Sequence, residues 1–204
     1  MGIFHASGSR ELAPVNPPVE VYDQYVARQV TTLCLKEKTW SMSGDDFSIA
    51  DANTRQTILK CHGKSMSLHD RKKIKTPEGK VLYNMRDKML SIHKTTVAED
   101  EHGREVLKVV KKWSAGSKLS ATAVDKNGQE QTLVLHGDMY GASANIELKN
   151  GPHLAHISRK LLGATEIIAD KQTYFVSIAP GVDISLIVAV CICFDEAEND
   201  DKHK

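Results

Sequence analysis

The amino-acid sequence predicts a mainly β fold: about twelve antiparallel strands closed into a barrel around a central hydrophobic C-terminal α-helix. Two observations carry this. Between about residue 31 and residue 180 the pattern changes every 8 to 12 residues, with a turn cluster at each change and no helical periodicity between. Near the end, Ile184 to Phe194 is apolar on every side, broken only by Ser185, so it needs burial all round. A barrel of about twelve strands is too wide for its own side chains to fill, and a helix along its axis meets both requirements.

Taken in order, residues 1–30 read as an extended or disordered leader marked by Pro14, Pro17 and Pro18. Met1 to Ser7 lacks the basic and apolar regions of a secretory signal. It resembles a myristoylation site, but Ala6 stands where the strict form has Ser or Thr. Candidate strands follow at Leu33–Ser41, Phe47–Ala50, Thr57–Cys61, Ser65–Lys75, Val81–Lys88, Ser91–Val97, Val106–Trp113, Leu119–Val124, Thr132–His136, Ala144–Leu148, Leu154–Arg159 and Tyr174–Ile178. Among the turns between them, Asn127-Gly128 is the dipeptide that favours a two-residue hairpin. A faint repeat runs through the middle: Ser67-Leu68-His69 returns as Ser91-Ile92-His93, and Gly79 as Gly103 at the same offset. A meander with similar turns would produce it without duplication.

The apolar run favours a helix, because Asp183 stands at the N-cap position after Pro180 and Gly181. Its β-branched Ile184, Val188, Val190 and Ile192 would suit a buried strand instead. As a helix, Ile184 to Phe194 spans roughly 16 Å, about half of a bilayer core, so it is no simple membrane span. Residues 31–198 are therefore expected to form one domain, with 199–204 an acidic tail.

Composition narrows the function. Twenty-seven Lys and Arg against 26 Asp and Glu argue against nucleic-acid packaging. Cys34, Cys61, Cys191 and Cys193 form no C-x-x-C pair, which suits a reduced, intracellular protein. The charge is uneven, however: residues 60 to 112 hold fourteen Lys or Arg and seven Asp or Glu. Strand alternation sharpens this, setting His69, Arg71, Lys73 and Lys75 on the face opposite Met66, Leu68 and Ile74. On the next strand Arg86 and Lys88 oppose Val81, Tyr83 and Met85. Neighbouring strands would thus present a basic outer patch suited to phosphate groups, or simply a solvated, lysine-protected face.

Other constellations are weaker. His153 and His156 are three apart, which along a strand places them on opposite faces, and no carboxylate or thiol stands at a ligand spacing nearby. Cys191 and Cys193 would diverge on a helix. No nucleophile elbow, phosphate loop, dinucleotide fingerprint or zinc-protease motif occurs. Ser67, His69 and Asp70 lie too close on one strand for a triad. Trp40, Trp113, Tyr83 and Phe47 could stack on bases, but as strand residues they fit a core better. We expect no catalysis, metal or cofactor.

Three segments together resemble the LURP-one-related proteins: Trp40-Ser41-Met42-Ser43-Gly44-Asp45-Asp46-Phe47-Ser48-Ile49, then Met85-Arg86-Asp87-Lys88-Met89-Leu90-Ser91-Ile92-His93, then Tyr174 to Ile178 through Pro180 and Asp183 into the apolar run. The likeness covers about residues 31 to 198. It implies the tubby C-terminal-like fold, a twelve-stranded barrel around a central C-terminal helix, with phospholipid scramblases as distant relatives. One departure falls after His93, where the family often continues with an Arg and an aromatic residue and this chain has Lys94-Thr95-Thr96.

By analogy with tubby domains, the resemblance suggests a non-enzymatic module recognising phosphoinositide or other anionic membrane headgroups, with Arg71, Lys73, Lys75, Arg86 and Lys88 as the binding residues. We expect a cytoplasmic monomer, peripheral at membranes, with no transmembrane span. A signalling or transcription-linked protein-interaction scaffold is one alternative. A scramblase-like lipid protein is another, opposed by the absence of a membrane span and a cysteine-rich palmitoylation segment.

Overall fold

The computed structural model describes residues 12–38, 46–64, 71–88, 91, 93–112, 118–137, 143–158 and 173–202. Twelve strands alternate with turns: β1 Thr31–Lys38, β2 Asp46–Asp51, β3 Thr57–Lys64, β4 Arg71–Lys75, β5 Val81–Asp87 and β6 Thr95–Glu99, followed by β7 Glu105–Lys112, β8 Lys118–Val124, β9 Glu130–Gly137, β10 Ser143–Leu148, β11 His153–Ser158 and β12 Thr173–Ile178. Each pairs antiparallel with its neighbours in sequence, and β1 pairs with β12 from Thr31↔Ile178 to Lys36↔Thr173, which closes the barrel. An even number of strands lets such a meander close on an antiparallel seam, so no edge is left exposed.

The helix α1, Ile184–Lys202, decides the core. Leu186 to Phe194 are all at most 3% exposed, and they form one cluster with inward residues of the strands, from Leu33 and Leu35 in β1 to Tyr174, Val176 and Ile178 in β12. The helix backbone comes nearest to β7 and β8, where the buried Ala121 and Ala123 of β8 present little bulk. The helical alternative for the apolar run is the correct one, and it extends past Phe194 to Lys202. The acidic residues after Phe194 therefore do not stop the helix, which runs on into the segment expected as an acidic tail from residue 199.

One strand boundary also needs correction. β4 is described from Arg71, and the expected earlier part of that strand, residues 65–70 with Met66, Ser67, Leu68, His69 and Asp70, lies outside the described residues. β6 begins at Thr95 rather than Ser91, because the Thr95 hydroxyl bonds the His93 carbonyl at 2.9 Å and the Ser91 hydroxyl at 2.8 Å, closing a turn before the strand.

The glycine part of the faint repeat is a repeat of turns, while Ser67-Leu68-His69 lies outside the described residues. Gly79, Gly103 and Gly128 all have positive φ, and each amide bonds the carbonyl three residues back, on Thr76, Asp100 and Asp125. The carboxylate of Asp125 accepts the amides of Asn127 and Gln129, and Asp100 accepts those of His102 and Arg104. This is a tight turn followed by a left-handed glycine that bulges back into the strand. Asn127 itself is not among the positive-φ residues, so the hairpin expected there forms with one residue more than the two-residue turn.

Residues 12–30 lie across the end of the barrel where α1 begins. The amide of Val15 bonds Pro180 O at 2.8 Å, Val19 bonds Gly181 O at 2.9 Å, and Ala27 bonds Val182 O at 2.9 Å. Leu12, Val15, Val19, Val21 and Ala27 are buried in the common core. The crossing needs a glycine at 181: its φ is +85, and a Cβ would strike the Val15 carbonyl oxygen, a backbone atom that cannot turn aside. Gly181→Ala should cost roughly 2–4 kcal/mol, read as a lower urea midpoint with early loss of amide protection at Val15 and Val19.

Candidate functional site

Alternation along three adjacent strands builds a basic outer face. In β3, Leu59, Cys61 and Gly63 are buried while Lys60 and His62 are half-buried. In β4, Ile74 is buried, Lys73 is exposed and Lys75 is half-buried; in β5, Tyr83 and Met85 are buried while Asn84 and Arg86 are half-buried. Register then sets Lys60 opposite Lys75, His62 opposite Lys73, Lys73 opposite Asn84, and Arg71 opposite Arg86. Arg71 has a described strand backbone, but its side chain is outside the described residues.

The five sequence-derived cations differ in what holds them. Arg86 places Nε at 3.1 Å and Nη2 at 2.6 Å from the same oxygen of Glu99 on β6. Lys88, just past β5, sits 3.0 Å from Glu105 on β7. Lys73 and Lys75 have no ion pair among the described residues. Lys73, Asn84, Arg86 and Glu99, with Lys72 and Met85, line an open recess of about 250 Å³.

Sequence reasoning did not single out Lys60 or Lys72. Lys60 was legible, since it alternates with Leu59 and Cys61; its ammonium bonds the Pro77 carbonyl at 3.1 Å. Lys72 is the harder case, because alternation puts it on the apolar side with Ile74. It is only 5% exposed, and its ammonium stands 5.4 Å from the centre of the Phe47 ring, an attraction between cation and π face.

The remaining candidates resolve into structure. Phe47 and Tyr83 are core residues, and Trp40 and Trp113 lie outside the described residues. His153 and His156 are not on opposite faces: a bulge where β11 meets Ile146/Glu147 lets His153 meet Glu147 at 3.2 Å and His156 meet Asn145 at 2.7 Å, and those two partners share a face of β10. Cys191 is fully buried, and burial pushes its thiol well above the ordinary range.

A closed twelve-stranded antiparallel barrel filled by one C-terminal helix defines the class of protein, and its basic outer face is consistent with a binding module. The LURP-one-related family model matches residues 31–195, and the chain belongs to that family. Among solved structures, the chain is similar to the X-ray structure of an Arabidopsis thaliana protein, at 14% identity and a TM-score of 0.43 over 89% of this chain and 99% of that one. No curated protein matches. Among the described residues, no helix is long and apolar enough to cross a membrane.

Proposed function

We propose that this protein is a non-enzymatic module that docks on anionic membrane headgroups through the outer face of β3, β4 and β5, with Arg71, Lys73, Lys75, Arg86 and Lys88 as its contacts. The observation that carries this reading is the pair Lys73 and Lys75, two cations on one face of β4 with no carboxylate answering them among the described residues. Lys60, opposite Lys75, adds to the same field. Each basic residue near an anionic leaflet contributes about 1 kcal/mol, so the group supports transient, salt-sensitive attachment at a cytoplasmic surface.

Vesicle co-sedimentation with and without phosphatidylinositol bisphosphate tests it. Lys73→Glu/Lys75→Glu should weaken attachment by at least about 2 kcal/mol, some thirtyfold, while leaving the thermal melt in place. Equal binding by wild type and the double variant removes this face from the function. A protein partner captured equally by both would favour the scaffold alternative.

A further inference from the structure

We propose that Glu99 is a resident competitor in the recess of the basic face, and that it makes the site select phosphate monoesters over singly charged anions. This rests on the headgroup-binding reading above and adds a rule for which anions enter. Of the recess-lining residues, Arg86 is the cation best shaped to grip an oxyanion, having a planar fork of donors. That fork is already occupied: Nε and Nη2 both donate to one oxygen of Glu99. Glu99 is itself set by the sheet, standing opposite Asn84, on the strand beside Arg86. The pair is 39% and 26% exposed at Arg86 and Glu99, so an incoming anion can reach it.

An arriving anion must displace the Glu99 carboxylate or bind beside it. A carboxylate or a phosphodiester brings one negative charge, which merely replaces one anion by another while leaving Glu99 to repel it. A phosphate monoester brings about 1.5 to 2 charges and three acceptor oxygens at neutral pH. It can occupy Arg86, accept from the exposed ammonium of Lys73 and from the amide of Asn84, and still exceed the charge it evicts. The rule therefore admits headgroups with monoester phosphates and disfavours phosphatidylserine. Glu101 holds Lys80 in a similar pair at 3.2 Å, and neither residue lines the recess or belongs to the five contacts, so Glu101 serves as the internal control.

The test compares wild type, Glu99→Gln and Glu101→Gln, each checked by thermal melt, on three probes. These are phosphatidylcholine vesicles with phosphatidylinositol 4,5-bisphosphate, the same vesicles with phosphatidylserine at equal total charge, and soluble inositol 1,4,5-trisphosphate. Wild type should prefer the bisphosphate vesicles, and Glu99→Gln should raise phosphatidylserine binding by about fivefold, shrinking that preference, while Glu101→Gln leaves it unchanged. Binding of the trisphosphate without vesicle binding would place the source of the phosphate in solution rather than in a membrane. A wild type that binds none of the probes overturns the headgroup reading and the selectivity rule together, whatever Glu99→Gln binds. Unchanged selectivity in Glu99→Gln, or an equal change in Glu101→Gln, overturns the competitor role. If Lys73→Glu/Lys75→Glu still abolishes vesicle binding in that case, the basic-face reading survives. No binding by any variant to any probe overturns both.

Discussion

Val188→Asp is expected to leave no folded protein. Val188 is 1% exposed in the second turn of α1, within the cluster that fills the barrel. Its neighbours on the helix, Leu186 to Phe194, offer no cation, being apolar or thiol-bearing. Burying an unpaired carboxylate costs several kcal/mol, comparable to the whole stability of a typical domain. Val188→Ala, which removes bulk without adding charge, should cost about 2–3 kcal/mol and still fold. Circular dichroism and thermal melts of the two purified variants decide. A Val188→Asp protein with a cooperative melt near that of wild type would mean that α1 does not fill the barrel.

Asp183 is the second position where a large effect is expected. It caps α1, accepting from the amides of Ser185 at 2.7 Å and Leu186 at 3.2 Å, and from the Ser185 hydroxyl at 2.6 Å. Its other oxygen accepts from the amides of Val21 at 3.0 Å and Tyr22 at 2.8 Å. One fully buried carboxylate thus ties the helix start to the segment that crosses the barrel end. The network continues through Ser185 to the Tyr83 hydroxyl at 3.0 Å, and the Tyr22 ring packs edge-on against Tyr83 with centroids 5.3 Å apart. Asp183→Ala loses the cap and leaves buried amides unanswered, at a cost of about 4 kcal/mol. Asp183→Asn can keep the cap through its carbonyl, but turns an amide toward Val21 and Tyr22. It should therefore release residues 12–30 first, seen as early hydrogen exchange at those two amides.

The same carboxyl has a pH signature. Burial raises it above the ordinary carboxylate value, against the pull of the bonds from Ser185, Tyr22, Val21 and Leu186. The folded protein therefore holds this proton more tightly than the unfolded chain does. The associated stability is full below the ordinary value and is lost as pH rises through the raised one. Urea midpoints measured upward from pH 4 should fall more for wild type than for Asp183→Asn. Parallel curves would show that the hydrogen bonds cancel the burial cost.

What the sequence determines by itself is the local grammar. Alternation is a property of each strand, so all twelve strands could be located, and with them the outward positions of Lys73, Lys75 and Arg86. An apolar run without a polar stripe can only be buried on all sides, so Ile184 to Phe194 announced the core helix, and Asp183 its cap. What only the tertiary structure decides depends on which strands and segments meet. Glu99 lies thirteen residues from Arg86, and nothing local says that β6 returns it to that guanidinium rather than to solvent. Val21 and Tyr22 lie 162 and 161 residues from the carboxylate that anchors them. The bulge between β10 and β11 places His153 and His156 on one side, because a single extra residue reverses a strand's facing and leaves no mark in composition. Cross-strand partners follow from closure of the whole barrel, a long-range event that no short window of residues encodes.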